Sequence, residues 1–334
     1  MRIAVVCLAI LLLLLLPHAG NAAGEPISYA QTSPWFLYGW GLFGLAAAII
    51  VGLLKNRRAS VVVGALIGAL IAAHVFRVWN LYTTDYYGIY RFLFSFIPAR
   101  YLPGNIFDGG PIWVLAALWS PFTYTFLHGD GSHLFGNCIA LFVFGRTVAW
   151  RIGTWRFLLF FFASGAASAL GHMIFNWGSP VSLIGASGSG FAILAATLRF
   201  VPRTNDRLRA LFWPDKNVRT VPLASPIEVF TEPRSFVYFL ICMILYPLGF
   251  VALLLGTLGN VALAGHVGGF LFGLFAFGLF DRRTRADVSG SGVPEISEPP
   301  PESLGLTFLR IGAVIFMIYG FLRALLFYGF AFLV

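Results

Sequence analysis

The stretch G-A-S-G-S-G at residues 185–190 places two serines among three glycines, directly before an apolar run. Gly185 and Gly188 let another backbone approach closely and leave the N–H groups around Ser187 accessible. Because N–H groups at a helix N-terminus favour a developing negative charge, Ser187 is a candidate nucleophile. Ser189 lies about 200° further around a helix and should point the other way. A helix-packing face of small residues is the alternative interpretation.

A histidine lies in a second glycine-rich apolar run, A-G-H-V-G-G-F-L-F-G at residues 264–273. Gly269 and Gly273 follow His266 by three and seven residues, so all three share one helical face. A face of small residues admits a partner helix at short distance, which would bring the histidine against that helix. His266 is therefore a candidate general base. The alternative is a buried histidine that is hydrogen-bonded to a carbonyl.

The stretch F-L-H-G-D-G-S-H-L-F-G-N, residues 126–137, supplies further polar groups. His133 and Asn137 are four residues apart and share a helical face, with His128 just before them. Two neutral donors that point inward can bind an oxyanion. Helix capping and loop hydrogen bonding are the alternatives for these residues.

Together the three stretches contain a nucleophile, a base and oxyanion donors, which are the components of acyl transfer. All thirteen acidic residues lie outside the apolar runs that contain Ser187 and His266. The sequence therefore favours a Ser–His dyad over a triad with a buried carboxylate. Phe191 follows Ser187 by one helical turn and can stack on the imidazole to fix its orientation.

The composition is that of a polytopic membrane protein, because 59% of the 334 residues are hydrophobic and 10% are charged. Soluble domains have about 25% charged residues. The net charge of +9 fits basic cytoplasmic loops, so no nucleic-acid partner is expected. The three cysteines form no C-x-x-C pair and H-E-x-x-H is absent, so the sequence predicts no metal or other cofactor.

Apolar segments long enough to cross a bilayer recur along the chain. They lie near residues 35–54, 60–79, 133–150, 157–175, 184–200, 235–257, 263–280 and 311–333. The last contains a central arginine, Arg323, so an interfacial helix is the alternative there. Residues 1–23 have the order of a cleaved signal peptide, with an uncleaved anchor as the alternative.

Basic residues collect at residues 55–58, 146–156, 201–234 and 282–285. All four places fall on one side of the membrane when the segments are threaded alternately, and that side is predicted to be cytoplasmic. The aromatic-rich residues 80–132 then form a non-cytoplasmic connection, partly in the interface. The three polar stretches lie near that same non-cytoplasmic face.

The motifs resemble those of the rhomboid family of intramembrane serine proteases. G-A-S-G at 185–188 matches the family's G-x-S-G, and G-H-V-G-G-F-L-F-G at 265–273 matches A-H-x-x-G-x-x-x-G. His128, His133 and Asn137 match H…H-x-x-x-N. The resemblance implies that Ser187 is the nucleophile and His266 the base. It also implies an oxyanion hole formed by His133, Asn137 and the Ser187 backbone N–H, with Phe191 at the family's aromatic position.

Two positions depart from the family pattern. Trp119 is followed by Ser120 where the family commonly has an arginine, and Ala149 stands where its second core helix has a glutamate. If that pair of charges normally stabilises the first long loop, this protein stabilises the loop in another way. Restoring one charge alone is expected to destabilise the fold or leave its stability unchanged, because a lone charge near the membrane lacks a partner.

The sequence thus predicts an all-α polytopic membrane protein with a rhomboid-like six-helix core and extra N-terminal and C-terminal segments. The predicted divisions are a signal peptide or anchor (1–23), an extra span (24–59), the protease core (60–280), a cytoplasmic linker (281–303) and a C-terminal hydrophobic segment (304–334).

The predicted function is an intramembrane serine endopeptidase that cleaves membrane-protein substrates in the lipid bilayer. Its site is expected to face the non-cytoplasmic side of a bacterial-type inner membrane. The alternatives are an inactive relative and a transporter that bind membrane segments without cleaving them. The physiological substrate and the oligomeric state are left open by the sequence.

Overall fold

The computed structural model describes residues 57–83, 87–105, 110–214, 216–245 and 261–281. The predicted signal segment, the first and last predicted spans, the second half of the span predicted at 235–257 and the linker after residue 281 lie outside these ranges.

The described chain is helical. Its helices are α1 (Arg57–Thr83), α2 (Tyr87–Phe94), α3 (Pro111–Thr123), α4 (Gly131–Ala140), α5 (Arg146–Ile152), α6 (Thr154–Phe175), α7 (Ser187–Leu198), α8 (Arg207–Phe212), α9 (Lys216–Thr220), α10 (Glu228–Thr231), α11 (Pro233–Leu245) and α12 (Val261–Phe280). A π-helical turn, Leu141–Gly145, joins α4 to α5. Within the described ranges, β-structure is limited to one isolated antiparallel bridge between Phe96 and Leu183.

Three of these helices contain segments that are long and apolar enough to cross a membrane: Ala59–Trp79, Thr154–Phe175 and Leu263–Phe280. A helix of 22 residues, such as α6, is about 33 Å long, which matches the hydrocarbon thickness of a bilayer. The all-helical membrane fold predicted from the sequence is thereby confirmed. The predicted spans 60–79, 133–150, 157–175 and 263–280 coincide with α1, α4–α5, α6 and α12 to within a few residues.

Helix α7 lies at the centre of the bundle and packs on both α6 and α12. It is apolar on all sides, which is typical of a helix that is surrounded by protein. From Gly188 to Leu198 every residue except Phe191 is buried. The helix begins at Ser187, three residues later than the predicted span, because Gly185 has a φ of +109° and cannot continue a helix.

The long segment 201–234 is folded against the end of α5 rather than extended away from it. The Thr147 hydroxyl donates to the Ala210 carbonyl at 2.8 Å, and the Arg146 guanidinium donates to the Phe212 carbonyl at 2.9 Å. Arg151 forms an ion pair with Asp281 after α12, with 2.7 Å between Nη2 and Oδ2. The first two contacts tie the segment to α5, and the ion pair ties α5 to the end of α12.

Arg100 stabilises the connection between α2 and α3. Its side chain is buried, with 2% of the residue exposed, and donates to the carbonyls of Ser95 at 3.2 Å and Ala116 at 3.3 Å. The guanidinium also bonds the Phe92 carbonyl and lies 4.8 Å from the centre of the Phe92 ring. This arginine explains how the loop is held although Ser120 replaces the family's arginine.

Candidate active site

Ser187 and His266 lie within hydrogen-bond distance. The imidazole Nε2 of His266 is 2.7 Å from the Ser187 Oγ, although the residues are 79 positions apart in the chain. Ser187 is the first residue of α7, and His266 lies in the second turn of α12. A hydroxyl in contact with a neutral imidazole nitrogen can lose its proton to that nitrogen as it attacks an electrophile.

Glycines bring the two helices close enough for this contact. A Cβ at Gly269 would overlap the Gly188 carbonyl oxygen, and a Cβ at Gly273 would overlap the Ala192 carbonyl oxygen. Both glycines are on the face of α12 that contains His266. The approach of backbone to backbone places the histidine directly over the start of α7.

The ring of Phe191 lies against the imidazole of His266. Their centroids are 4.6 Å apart and the ring planes are inclined by 27°, which is a stacked arrangement. Helices α7 and α12 contain no aspartate or glutamate. In this pair of helices the imidazole is therefore oriented by packing on an aromatic ring and by its bond to Ser187, not by a carboxylate.

His133 and Asn137 lie on α4 beside the backbone of Gly185. A Cβ at Gly185 would be 2.7 Å from the His133 Nε2, so the imidazole lies directly over this glycine. The Asn137 amide is next to it and donates one N–H to the His133 carbonyl at 2.9 Å. An amide nitrogen carries two N–H groups, so a second donor remains in Asn137.

The Asp130 side chain fixes the start of the helix that contains His133 and Asn137. Its carboxylate accepts a hydrogen bond from the His133 backbone N–H at 2.9 Å, which is the usual arrangement of an N-cap. Aspartate is a favoured N-cap residue because its side chain satisfies an N–H without a helical partner. The cap thereby sets the register of the two candidate oxyanion donors.

His128 does not contact Ser187 but supports the loop before it. The residue is fully buried in the connection before α4, and its Nε2 accepts a long hydrogen bond of 3.5 Å from the Ala186 N–H. Burial, with smaller effects of His133 and His74, lowers the pKa of His128 to about 3. The imidazole is therefore neutral at pH 7 and can accept this bond.

Ser189 points away from His266. Its Oγ donates to the Phe161 carbonyl of α6 at 2.8 Å, and the residue is fully buried. The two serines of the opening stretch therefore have different surroundings: Ser187 contacts a base, and Ser189 makes a hydrogen bond between helices.

Two residues near the site were missed by the sequence analysis. The Tyr124 carbonyl accepts the Gly185 N–H at 3.0 Å, which anchors the backbone two residues before Ser187. The Ser168 side chain of α6 lies where a Cβ on Gly188 would be. The small residues of F-A-S-G-A-A-S-A-L-G at 162–171 were a signal for close packing of α6, but they did not identify its partner.

Fold and site together define an all-α integral membrane protein with a Ser–His pair inside its helical bundle. A family model described as the Rhomboid domain matches residues 115–283, just over half of the chain. The chain therefore belongs to the rhomboid family, as the motifs predicted.

Among curated proteins, the chain is similar to the rhomboid protease GluP of Bacillus subtilis (strain 168). The two are 28% identical over 202 residues, which cover 60% of this chain and 32% of that relative. The match thus spans about a third of the relative's length. No solved structure matches the chain.

Proposed function

We propose that the protein is an intramembrane serine endopeptidase that uses Ser187 and His266 as a catalytic dyad. The observation that carries the proposal is the 2.7 Å contact between the Ser187 Oγ and the His266 Nε2. Membership of the rhomboid family and similarity to a rhomboid protease support the same reaction.

In the first step the Ser187 Oγ attacks the carbonyl carbon of the scissile peptide bond while His266 takes the serine proton. The tetrahedral intermediate collapses as His266 gives that proton to the leaving amine, which leaves an acyl ester on Ser187. Water then attacks the ester while His266 accepts one of its protons. Return of the proton to the Ser187 Oγ releases the carboxylic acid and restores the dyad.

In this mechanism His133, Asn137 and the backbone N–H of Ser187 stabilise the negative charge on the tetrahedral intermediate. The positions of the two side chains beside Gly185 support this role. A single donor of this kind typically contributes about 3 kcal/mol to stabilisation of the transition state. Neither step requires a metal or another cofactor.

The proposed substrates are membrane-spanning segments of other proteins, locally unwound so that a peptide bond reaches Ser187. A regular helix hides its carbonyl carbons behind its own hydrogen bonds, so unwinding has to precede attack. Water reaches the polar side chains of the proposed site from the non-cytoplasmic side, which is the orientation that the one-sided distribution of basic residues predicts. Reporter fusions at residues 210 and 290 test that orientation: exposure of either residue outside intact cells would contradict it.

The experiment that tests the function combines fluorophosphonate labelling with cleavage of a model transmembrane substrate, in detergent and in lipid. Ser187→Ala and His266→Ala are expected to lose both labelling and cleavage while remaining folded. Ser189→Ala is the matched control, because it removes a serine hydroxyl two residues away that bonds α6 instead of His266.

This control is expected to retain labelling and much of the cleavage. If the wild-type protein is labelled by no fluorophosphonate and cleaves no substrate, the proposal fails and an inactive membrane-segment-binding relative is favoured. Labelling that persists in Ser187→Ala but disappears in Ser189→Ala would identify Ser189, and not Ser187, as the nucleophile.

A further inference from the structure

A cavity of about 230 Å³ lies between the end of α1, helix α2 and the loops on either side of the candidate active site. Its lining consists of Arg77, Tyr90, Arg91, Leu127, Gly129 and Ile184. Two of these six residues are arginines and none is acidic. A concave site with two cations selects an anion.

The two arginines are held in place by hydrogen bonds to other segments of the chain. The Arg77 Nη2 donates to the Gly129 carbonyl at 2.9 Å, and the Arg91 Nη2 donates to the Ser182 Oγ at 3.0 Å. A guanidinium presents five N–H groups in a planar fork, and this fork matches the oxygens of a phosphate. Tyr90, whose side chain carries a hydroxyl, also lines the cavity.

The arginines of this part of the chain collect at the cavity. Residues 77–132 contain three arginines, three aspartates and no lysine. Arg100 is buried and bonds backbone carbonyls, as described above. Both of the other two arginines line the cavity.

An apolar surface flanks the arginines. Phe76, Trp79 and Ile89 are next to them along α1 and α2 and are 54%, 56% and 56% exposed. The Phe76 ring contacts Tyr90, a residue of the cavity wall, with 5.4 Å between centroids. Exposed aromatic and aliphatic side chains beside cationic groups are typical of a segment in the membrane interface. A free anion would make no use of this surface, whereas acyl chains would cover it.

We propose that this cavity, hereafter the Arg77–Arg91 cavity, binds the phosphate group of an anionic phospholipid. The phosphate contacts the two guanidinia, and the acyl chains lie along Phe76, Trp79 and Ile89. The cavity shares Gly129 with the loop before His133, so the bound lipid borders the candidate active site.

Binding to the detergent-solubilised full chain, measured by native mass spectrometry, tests the proposal without any need for proteolysis. The protein is titrated with phosphatidylglycerol, with phosphatidylcholine of the same acyl chains and with inorganic phosphate. Phosphatidylglycerol is expected to bind most tightly, and inorganic phosphate to bind weakly and displace it only at high concentration. The Arg77→Gln/Arg91→Gln variant is expected to bind phosphatidylglycerol about 30-fold more weakly, because each interfacial arginine typically contributes about a factor of five.

Two further variants separate charge from folding. Arg77→Lys/Arg91→Lys retains both charges and is expected to retain most of the affinity for phosphatidylglycerol. Arg156→Gln removes an exposed arginine from the first turn of α6 and is expected to leave the affinity for phosphatidylglycerol unchanged.

Unchanged binding in the double glutamine variant would overturn the proposal, as would equal binding of phosphatidylcholine. Equal affinity for inorganic phosphate would assign the cavity to a free anion. If the Arg77→Gln/Arg91→Gln variant bound a substrate with acidic residues more weakly but bound phosphatidylglycerol as before, the cavity would serve substrate recognition and the lipid proposal would fail.

Discussion

Gly269 of α12 lies directly against the backbone of Gly188 in α7, the residue that follows Ser187. A Cβ at position 269 would overlap the Gly188 carbonyl oxygen, and this oxygen belongs to backbone that cannot move without shifting α7. The helix spacing that brings His266 to Ser187 therefore depends on glycine, a residue without a side chain, at position 269.

Gly269→Ala is expected to destabilise the protein by about 1–3 kcal/mol, because it overpacks a rigid backbone contact. Gly278→Ala is the matched control on the same helix, since its Cβ would be an ordinary 3.7 Å from Arg199. Thermal unfolding in detergent measures both. The proposed packing would be contradicted by equal midpoints for the two variants.

The double variant Ser187→Ala/His266→Ala is expected to lose no more activity than either single variant. A base without its nucleophile, or a nucleophile without its base, provides none of the proposed covalent catalysis, so the two losses do not add. Residual cleavage rates of the two singles and the double make the comparison. Strictly additive losses would show that the residues act separately.

Asn137→Ala is expected to lower kcat by about 10², because one oxyanion donor is lost. Asn176→Ala is a close control: its side chain donates to the His172 carbonyl at 2.9 Å, the same bond that Asn137 makes with His133, but at the end of α6. Steady-state cleavage of a model substrate separates loss of the donor from loss of the helix bond. A similar fall in kcat for both variants would argue against an oxyanion role.

Arg100→Ala is expected to lower the unfolding temperature strongly, because it leaves the carbonyls of Phe92, Ser95 and Ala116 without this donor. An unsatisfied buried polar group costs about 1–3 kcal/mol. Arg100→Lys should recover little, since an ammonium cannot reproduce the planar fork. Arg156→Ala serves as the exposed control. A variant at position 100 as stable as this control would exclude a structural role for the guanidinium.

Restoring the family's charges is expected to destabilise this chain. Ser120 is fully buried, and its Oγ lies 3.3 Å from the Tyr101 hydroxyl, so Ser120→Arg has no room. Ala149 is buried in α5 between two arginines that bond the segment 201–234, a different environment. Ser120→Arg/Ala149→Glu should therefore be less stable than either single variant. A double variant that melts above both singles would show that the two positions face one another.

The sequence by itself determined the membrane class. It contains apolar runs of about 20 residues, and in a bilayer the backbone hydrogen-bonding groups of such runs are satisfied within a spanning helix. It also predicted the family and the candidate site residues, because the motifs around His133, Ser187 and His266 occur together and resemble those of the rhomboid family. Helical spacing alone placed Phe191 one turn after Ser187 and predicted that Ser189 points elsewhere.

Only the tertiary structure decided which helices meet. Spacing within one helix cannot reveal that Gly269 packs on Gly188, or that Ser168 fills the space behind it, since such contacts depend on the register between helices. The same holds for Arg100, whose partners lie 5, 8 and 16 residues away and belong to two helices and the connection between them. The sequence also could not predict that Arg77 and Arg91 line one cavity, because their separation in the chain fixes neither the end of α1 nor the orientation of α2.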